Sequence, residues 1–110
     1  MQAKTTVGTI GYISPEILKS RNAVAYSYPS DIWSYGMVLF ELMTLSRPFI
    51  NSNQIAITEL TMKGELPVLP EEAVDMYEGL IPLWKQCLSI DPSKRPKISE
   101  IKSALLNMDE

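Results

Sequence analysis

Apolar residues along this chain recur at three- and four-residue steps in several stretches, and no stretch alternates with the two-residue period of a half-buried strand. A mainly helical chain is therefore expected. Residues 1–14 are rich in Thr, Gly and β-branched side chains without a helical period, and read as a loop. Ser14-Pro15-Glu16 then marks a helix start, with Ser14 as the cap, Pro15 at the first helical position, where no amide hydrogen is needed, and Glu16 in the first turn. The short helix that follows completes a first segment, residues 1–20. Arg21 to Pro29 is polar and reads as a loop delivering the chain to Ser30, the expected cap of a helix over 30–45.

That helix carries Ile32, Trp33, Tyr35, Met37, Val38, Leu39, Phe40, Leu42 and Met43, apolar nearly all the way round, and such a helix belongs inside a protein. Gly36 in its interior costs about 1 kcal/mol relative to Ala, so another element is expected to press against it. Arg47-Pro48-Phe49 breaks the pattern. Asn51 and Gln54 stand at capping-box spacing and Gly64 at a helix exit, which predicts a helix over 51–64. Leu66-Pro67-Val68-Leu69-Pro70 reads as an extended surface linker, because each proline disfavours helical geometry in the residue before it. Leu80, Ile81, Trp84, Cys87 and Leu88 share a stripe with Pro82 in a first turn, predicting a helix over 80–90; Ile98, Ile101, Leu105 and Met108 predict a last one over 97–108.

Composition adds exclusions. A chain of 110 residues makes one modest core, and 45% apolar with 21% charged residues is a globular balance. A net charge of -3 supplies no basic field for a phosphate backbone or an anionic membrane, so neither nucleic acid nor membrane is an expected partner. The longest apolar stretch, Ile32 to Leu45, is interrupted by Ser34 and Glu41 and falls short of the roughly 20 residues of a spanning helix. Cys87 is the single cysteine, which excludes an intrachain disulfide and fits a reducing compartment. Met1 to Thr6 contains no apolar leader region, and a cytoplasmic location is expected.

Three motifs carry the candidate function. Gly8-Thr9-Ile10-Gly11-Tyr12-Ile13-Ser14-Pro15-Glu16 is similar to the G-T-x-x-Y-x-A-P-E segment that closes the activation segment of protein kinases, with Ser14 in place of Ala. Asp31-Ile32-Trp33-Ser34-Tyr35-Gly36, followed by Glu41 and Pro48-Phe49, resembles that family's central buried helix and its exit. Asp91-Pro92-Ser93-Lys94-Arg95-Pro96 resembles the D-P-x-x-R-P before the last helix. Singly, each reads as a proline-started helix, a first-turn acid or a proline-bounded turn. Their order and spacing together, from about Thr5 onward, identify the chain as similar to a protein kinase C-terminal lobe, most like the tyrosine-kinase-like group of serine/threonine kinases.

The resemblance implies roles. Glu16 and Arg95 would form a structural ion pair tying the activation segment to the helical core. Asp31 would anchor the backbone of the catalytic loop, and Val38 and Leu42 would support the apolar stack below the adenine ring. Thr9 and Tyr12 would take part in substrate recognition, with Thr9 favouring Ser/Thr specificity. Thr5 and Thr6 are candidate phosphosites, where added charge would order the loop.

Phosphoryl transfer needs a glycine loop and lysine on the phosphates, metal-binding acids and an Asp that orients the hydroxyl. The family's H-R-D segment needs a histidine and the chain has none; D-F-G does not occur, and Gly8-Thr9-Ile10-Gly11 is no phosphate loop. The expected fold is thus mainly α, the helical C-terminal lobe of the protein-kinase-like fold without the strand-rich N-terminal lobe. No catalytic or metal-binding residue is assigned within the chain and no cofactor is expected on it; ATP and Mg are implied for the complete kinase domain. The partners expected are a protein substrate and the missing N-terminal kinase lobe. As this chain alone, no activity is expected. The alternative is a kinase-derived, non-catalytic helical protein-interaction module.

Overall fold

A computed structural model describes residues 10–19 and 27–107, and among them there are helices and no strand. Six α-helices follow in order: α1 (Pro15–Lys19), α2 (Tyr28–Thr44), α3 (Gln54–Met62), α4 (Glu71–Met76), α5 (Ile81–Cys87) and α6 (Ile98–Asn107), with single 3-10 turns at Ile10–Tyr12, Glu78–Leu80 and Pro92–Lys94. None of the helices among the described residues is long and apolar enough to cross a membrane.

Helix α2 begins at Tyr28, two residues before the expected start at Ser30. Pro29 sits in the first turn, where its missing amide hydrogen leaves nothing unpaired. The cap is Ser27, not Ser30: its Oγ accepts from the Ser30 amide at 3.2 Å. Ser30 is thereby free for a tertiary role and is buried. The helix stops at Leu45, whose φ of 58 puts it in the left-handed region and aims its N–H at the Glu41 carbonyl.

Trp33, Met37 and Phe40 of α2 pack with Leu80, Trp84 and Leu88 in the main core. The Phe40 and Trp84 rings stack at a centroid separation of 6.1 Å. The element against Gly36 is α5. A Cβ at Gly36 would lie 2.9 Å from Cys87 Cβ and 2.8 Å from Leu88 Cδ2, and the Gly36 carbonyl accepts a hydrogen bond from Trp84 Nε1 at 3.1 Å. The all-round apolar surface of α2 is not buried all round, however. Val38 is 43% and Leu42 63% exposed, and Leu45, spaced to continue the same stripe, is 89% exposed. Asp31, on the first turn, is also exposed.

The remaining boundaries differ from expectation for local reasons. Asn53 caps α3, its Oδ1 accepting from Ala56 N at 2.8 Å, so the helix starts after the Asn51–Gln54 pair instead of on it. At its other end Gly64 (φ +81) donates to the Thr61 carbonyl and Glu65 to that of Leu60, the paired bonds of a Schellman ending. Helix α4 was not foreseen. It has six residues and buries only Ala73, too little to leave a periodic signature, but Glu71 and Glu72 sit favourably in its first turn. Helix α5 is shorter than 80–90 because Glu78–Leu80 is a separate 3-10 turn and Leu88 already leaves helical geometry. Helix α6 buries Ile101, and Met108, the last position of the expected stripe, lies outside the described residues. The Asp91 carboxylate accepts from both the amide and the hydroxyl of Ser93, which holds its pKa below the usual range and closes the turn before α6.

Candidate functional site

The site is built around one buried cation. The Arg95 side chain is 0% exposed, and its three nitrogens are all engaged. Nη1 and Nη2 meet Glu16 Oε2 and Oε1 at 2.7 and 2.9 Å, Nη1 also reaches the Pro29 carbonyl at 2.9 Å, and Nε the Ser89 carbonyl at 2.8 Å. The guanidinium lies 5.1 Å from the centre of the Trp33 ring. Ser30 Oγ donates to Glu16 Oε2 at 2.9 Å, so the carboxylate is held from α2 as well. Burial works against the charged form of Glu16, but the hydrogen bonds from Arg95, its own backbone and Ser30, with the Arg95 charge, outweigh it and bring the carboxyl to about 2. One planar fork thus joins α1, the start of α2, the end of α5 and the turn before α6. Ser14 does not cap α1 with its side chain: its hydroxyl is buried without a partner among the described residues, while its carbonyl accepts from Leu18 N.

Tyr12 lies one turn upstream of this clamp. Its hydroxyl donates to Glu41 Oε1 at 2.5 Å, and its carbonyl accepts from Ser34 Oγ at 2.7 Å, so both ends of the residue are fixed to α2. Burial first, then the bond to Glu41 and its charge, push the phenol up to about 12 against the opposing pull of Arg47. A pKa raised in the folded state means that the stabilisation is complete below the usual 10.0 and is lost as pH rises toward 12. Tyr12→Phe is therefore expected to cost about 1.5 kcal/mol at neutral pH. In urea unfolding followed across pH, the gap between parent and variant should close between pH 10 and 12; equal midpoints at neutral pH would show that the bond does not hold.

Beside Tyr12 lies a groove of about 470 Å³, walled by Ile10 and Tyr12 on one side and by Arg47, Pro48, Phe49 and Ile57 on the other. Its lining joins the 3-10 turn Ile10–Tyr12 to the α2–α3 connection and the start of α3. Phe49 is held there at a φ of 55, a conformation that L side chains rarely adopt.

Of the residues singled out in the sequence, the structure brings together Glu16 with Arg95, and Tyr12 with Glu41. Asp31 stands apart at the exposed start of α2. Thr5, Thr6 and Thr9 lie outside the described residues. Sequence reasoning missed Ser30 and Trp33 as partners of the ion pair, since serine and tryptophan in a helix carry no mark of a contact made far along the chain. Among the described residues no three carboxylate or thiolate side chains converge where a metal ion could be held.

The protein kinase domain family model matches residues 1–105. The chain belongs to the protein kinase domain family. Among similar proteins, the serine/threonine-protein kinase cds1 of Schizosaccharomyces pombe is 41% identical over 100 residues, covering 88% of this chain and 22% of that protein. The serine/threonine-protein kinase Nek9 of Xenopus laevis is 42% identical over 99 residues, covering 90% of this chain and 10% of that protein. The putative mitogen-activated protein kinase kinase kinase 7-like protein of Drosophila melanogaster is 38% identical over 104 residues, covering 89% and 25%. The chain thus spans about a quarter or less of the length of these relatives. What is matched is the helical, C-terminal-lobe portion of a kinase domain.

Proposed function

We propose that these residues form the substrate-side scaffold of a protein serine/threonine kinase, presenting the end of the activation segment and a groove for the protein substrate, and that they do not transfer phosphate by themselves. The observation that carries this reading is the bidentate clamp of Arg95 on Glu16, which fastens the segment containing Tyr12 to the helical core beside the groove. A segment held at both Tyr12 and Glu16 gives an incoming peptide a preformed wall, and preorganisation lowers the ordering cost of binding. The serine/threonine kinases among the relatives support hydroxyl substrates, and Thr9 and Tyr12 are proposed to take part in recognising them. Thr5 and Thr6 are proposed as positions where phosphate would order the segment.

ATP and magnesium belong, in this reading, to the complete kinase domain and are held by residues outside these 110, because the chain contains no histidine for the catalytic-loop motif and no glycine loop. The exposed α2 stripe of Val38 and Leu42, with Asp31 at its start, supports a scaffold built to receive further kinase-domain segments over a self-sufficient interaction module. The test is direct. The 110-residue chain, incubated with labelled ATP, magnesium and a generic protein substrate, is expected to transfer no label, whereas a complete kinase domain containing it labels Ser or Thr. Transfer by the chain alone would refute the proposal.

A further inference from the structure

We infer that Arg47 reads charge in the protein substrate: it pairs with a glutamate or aspartate side chain displaced from the phosphoacceptor, which makes acidic sequences the preferred substrate class. The inference rests on the reading of the groove as the substrate site. Arg47 lines that groove and also a second depression of about 300 Å³ between the end of α2 and the extended segment before α4, so its side chain stands on the ridge between the two. Among the described residues it is the one formally charged side chain on either wall, and no Asp or Glu faces either depression. The chain as a whole has the opposite balance, with 13 acids against 10 bases. Glu41, bonded to Tyr12, is on neither wall. Arg95 with Glu16 is the ion pair formed among the described residues, so the exposed Arg47 has no carboxylate partner among them.

The backbone under Arg47 is fixed on both sides. The Ser46 amide donates to Thr44 Oγ1 at 3.2 Å, and the Ser46 carbonyl accepts from the same hydroxyl at 3.2 Å. Pro48 is buried, its carbonyl and ring 3.7 and 3.9 Å from where a Cβ at Gly11 would stand, and it disfavours helical geometry at Arg47. The Ser52 amide donates to the Phe49 carbonyl at 2.9 Å and closes the turn that follows. Binding through a side chain rooted this way costs rotamer freedom but little ordering of the loop. Ser52 lines both depressions, and Asn53 and Gln54 line the first. Asn53 spends its side-chain oxygen on the Ala56 amide, which leaves its NH₂ as a donor in the same groove as the cation. A guanidinium with hydroxyl and amide donors in one groove suits an anionic oxygen. With no second cation on either wall, the single charge of a carboxylate is the match; phosphorylated motifs are held by arginine clusters. The charge of Arg47 is felt as far as the Tyr12 hydroxyl, which it pulls toward ionisation, so its field reaches across the groove.

The test uses the 110-residue chain and fluorescent synthetic peptides on a Gly/Ser scaffold, each with a serine acceptor and one adjacent leucine. A glutamate is walked outward from the acceptor, with glutamine and lysine at the same positions for comparison. At one displacement glutamate is expected to bind about 3- to 5-fold more tightly than glutamine, the yield of a partly exposed ion pair, and the gain should shrink as salt is raised. Arg47→Gln should erase the preference. Arg47→Glu should pass it to lysine at the same displacement, an exchange that a purely structural role for Arg47 would not produce. Ile57→Ser, at an uncharged position of the groove, should weaken glutamate and glutamine peptides by the same factor. If Ile57→Ser weakens the peptides but no displacement favours glutamate, or if the preference survives Arg47→Gln, the role of Arg47 is overturned and the groove reading stands. If no peptide binds, or Ile57→Ser changes nothing, both fall. A phosphoserine that binds more than about 10-fold tighter than glutamate at that displacement would overturn carboxylate recognition in favour of a phosphorylated substrate.

Discussion

Arg95→Ala is expected to destabilise the folded chain by about 3–5 kcal/mol, the range for breaking a buried ion pair by removing one partner. The side chain is wholly buried and serves four acceptors: both Glu16 oxygens and the carbonyls of Pro29 and Ser89. Removing it leaves those carbonyls without their donor, strips the cover from the Trp33 ring and leaves Glu16 with Ser30 as its remaining side-chain donor. Glu16 is 29% exposed at its side chain, so water recovers part of the loss and the lower end of the range is expected. A domain of this size holds on the order of 5–15 kcal/mol in all, so the change removes a large share of it. In urea unfolding followed by tryptophan fluorescence the midpoint should fall by at least about 1 M. Arg95→Lys should recover little, because a point charge cannot make the two-pronged contact. An unchanged midpoint for Arg95→Ala would mean that the clamp does not hold the fold together.

The same pair sets a pH dependence whose sign is fixed. The Glu16 carboxyl lies at about 2 when folded and at 4.5 in an ordinary setting, so the unfolded chain takes up its proton first as pH falls. The stabilisation is complete above pH 4.5 and is lost progressively toward pH 2. Arg95→Ala should flatten this part of the stability curve.

Gly36→Val is expected to be the next most damaging change, at about 1–3 kcal/mol for overpacking. Even the first added carbon meets Cys87 Cβ at 2.9 Å and Leu88 Cδ2 at 2.8 Å. The leucine methyl ends a rotatable chain and can swing aside; Cys87 Cβ is one bond from the backbone and cannot. Helices α2 and α5 must then separate, which lengthens the bond from Trp84 to the Gly36 carbonyl and loosens the Phe40–Trp84 stack. Helix propensity pulls the other way, since leaving glycine gains up to about 1 kcal/mol, so Gly36→Ala should be milder than Gly36→Val. Cys87 supplies the readout. It is buried, and burial pushes its thiol up to about 11, so a thiol reagent reaches it only when the α2–α5 seam opens. Gly36→Val should speed its modification under native conditions. A slower reaction than in the parent would show that the seam has room to spare.

The helical class, the proline-bounded breaks and the close approach at Gly36 were all readable along the chain, because periodicity and backbone preference are properties of a few consecutive residues. The family resemblance was legible for a related reason: its three motifs are short runs, each complete within about ten positions. What the sequence left undecided were choices among residues that look alike locally. Ser14, Ser27 and Ser30 are all plausible caps, yet Ser27 caps α2, Ser30 serves Glu16 and the Ser14 hydroxyl serves no described group. Helix α4 left no sign because six residues with one buried alanine have no period. The exposed side of α2 was hidden for the opposite reason, since Val38 and Leu42 have the same composition as their buried neighbours.

Residue order alone makes the chain helical, places it beside kinases and puts an acid at 16 and a base at 95. That these two meet, 79 positions apart, with carbonyls from Pro29 and Ser89 converging on the same guanidinium, and that Tyr12 closes on Glu41 beside a groove, follows from the packing of the helices. A helix is selected by interactions within a turn or two of the chain; a buried charge is satisfied only by whatever the packing of distant elements brings within about 3 Å of it.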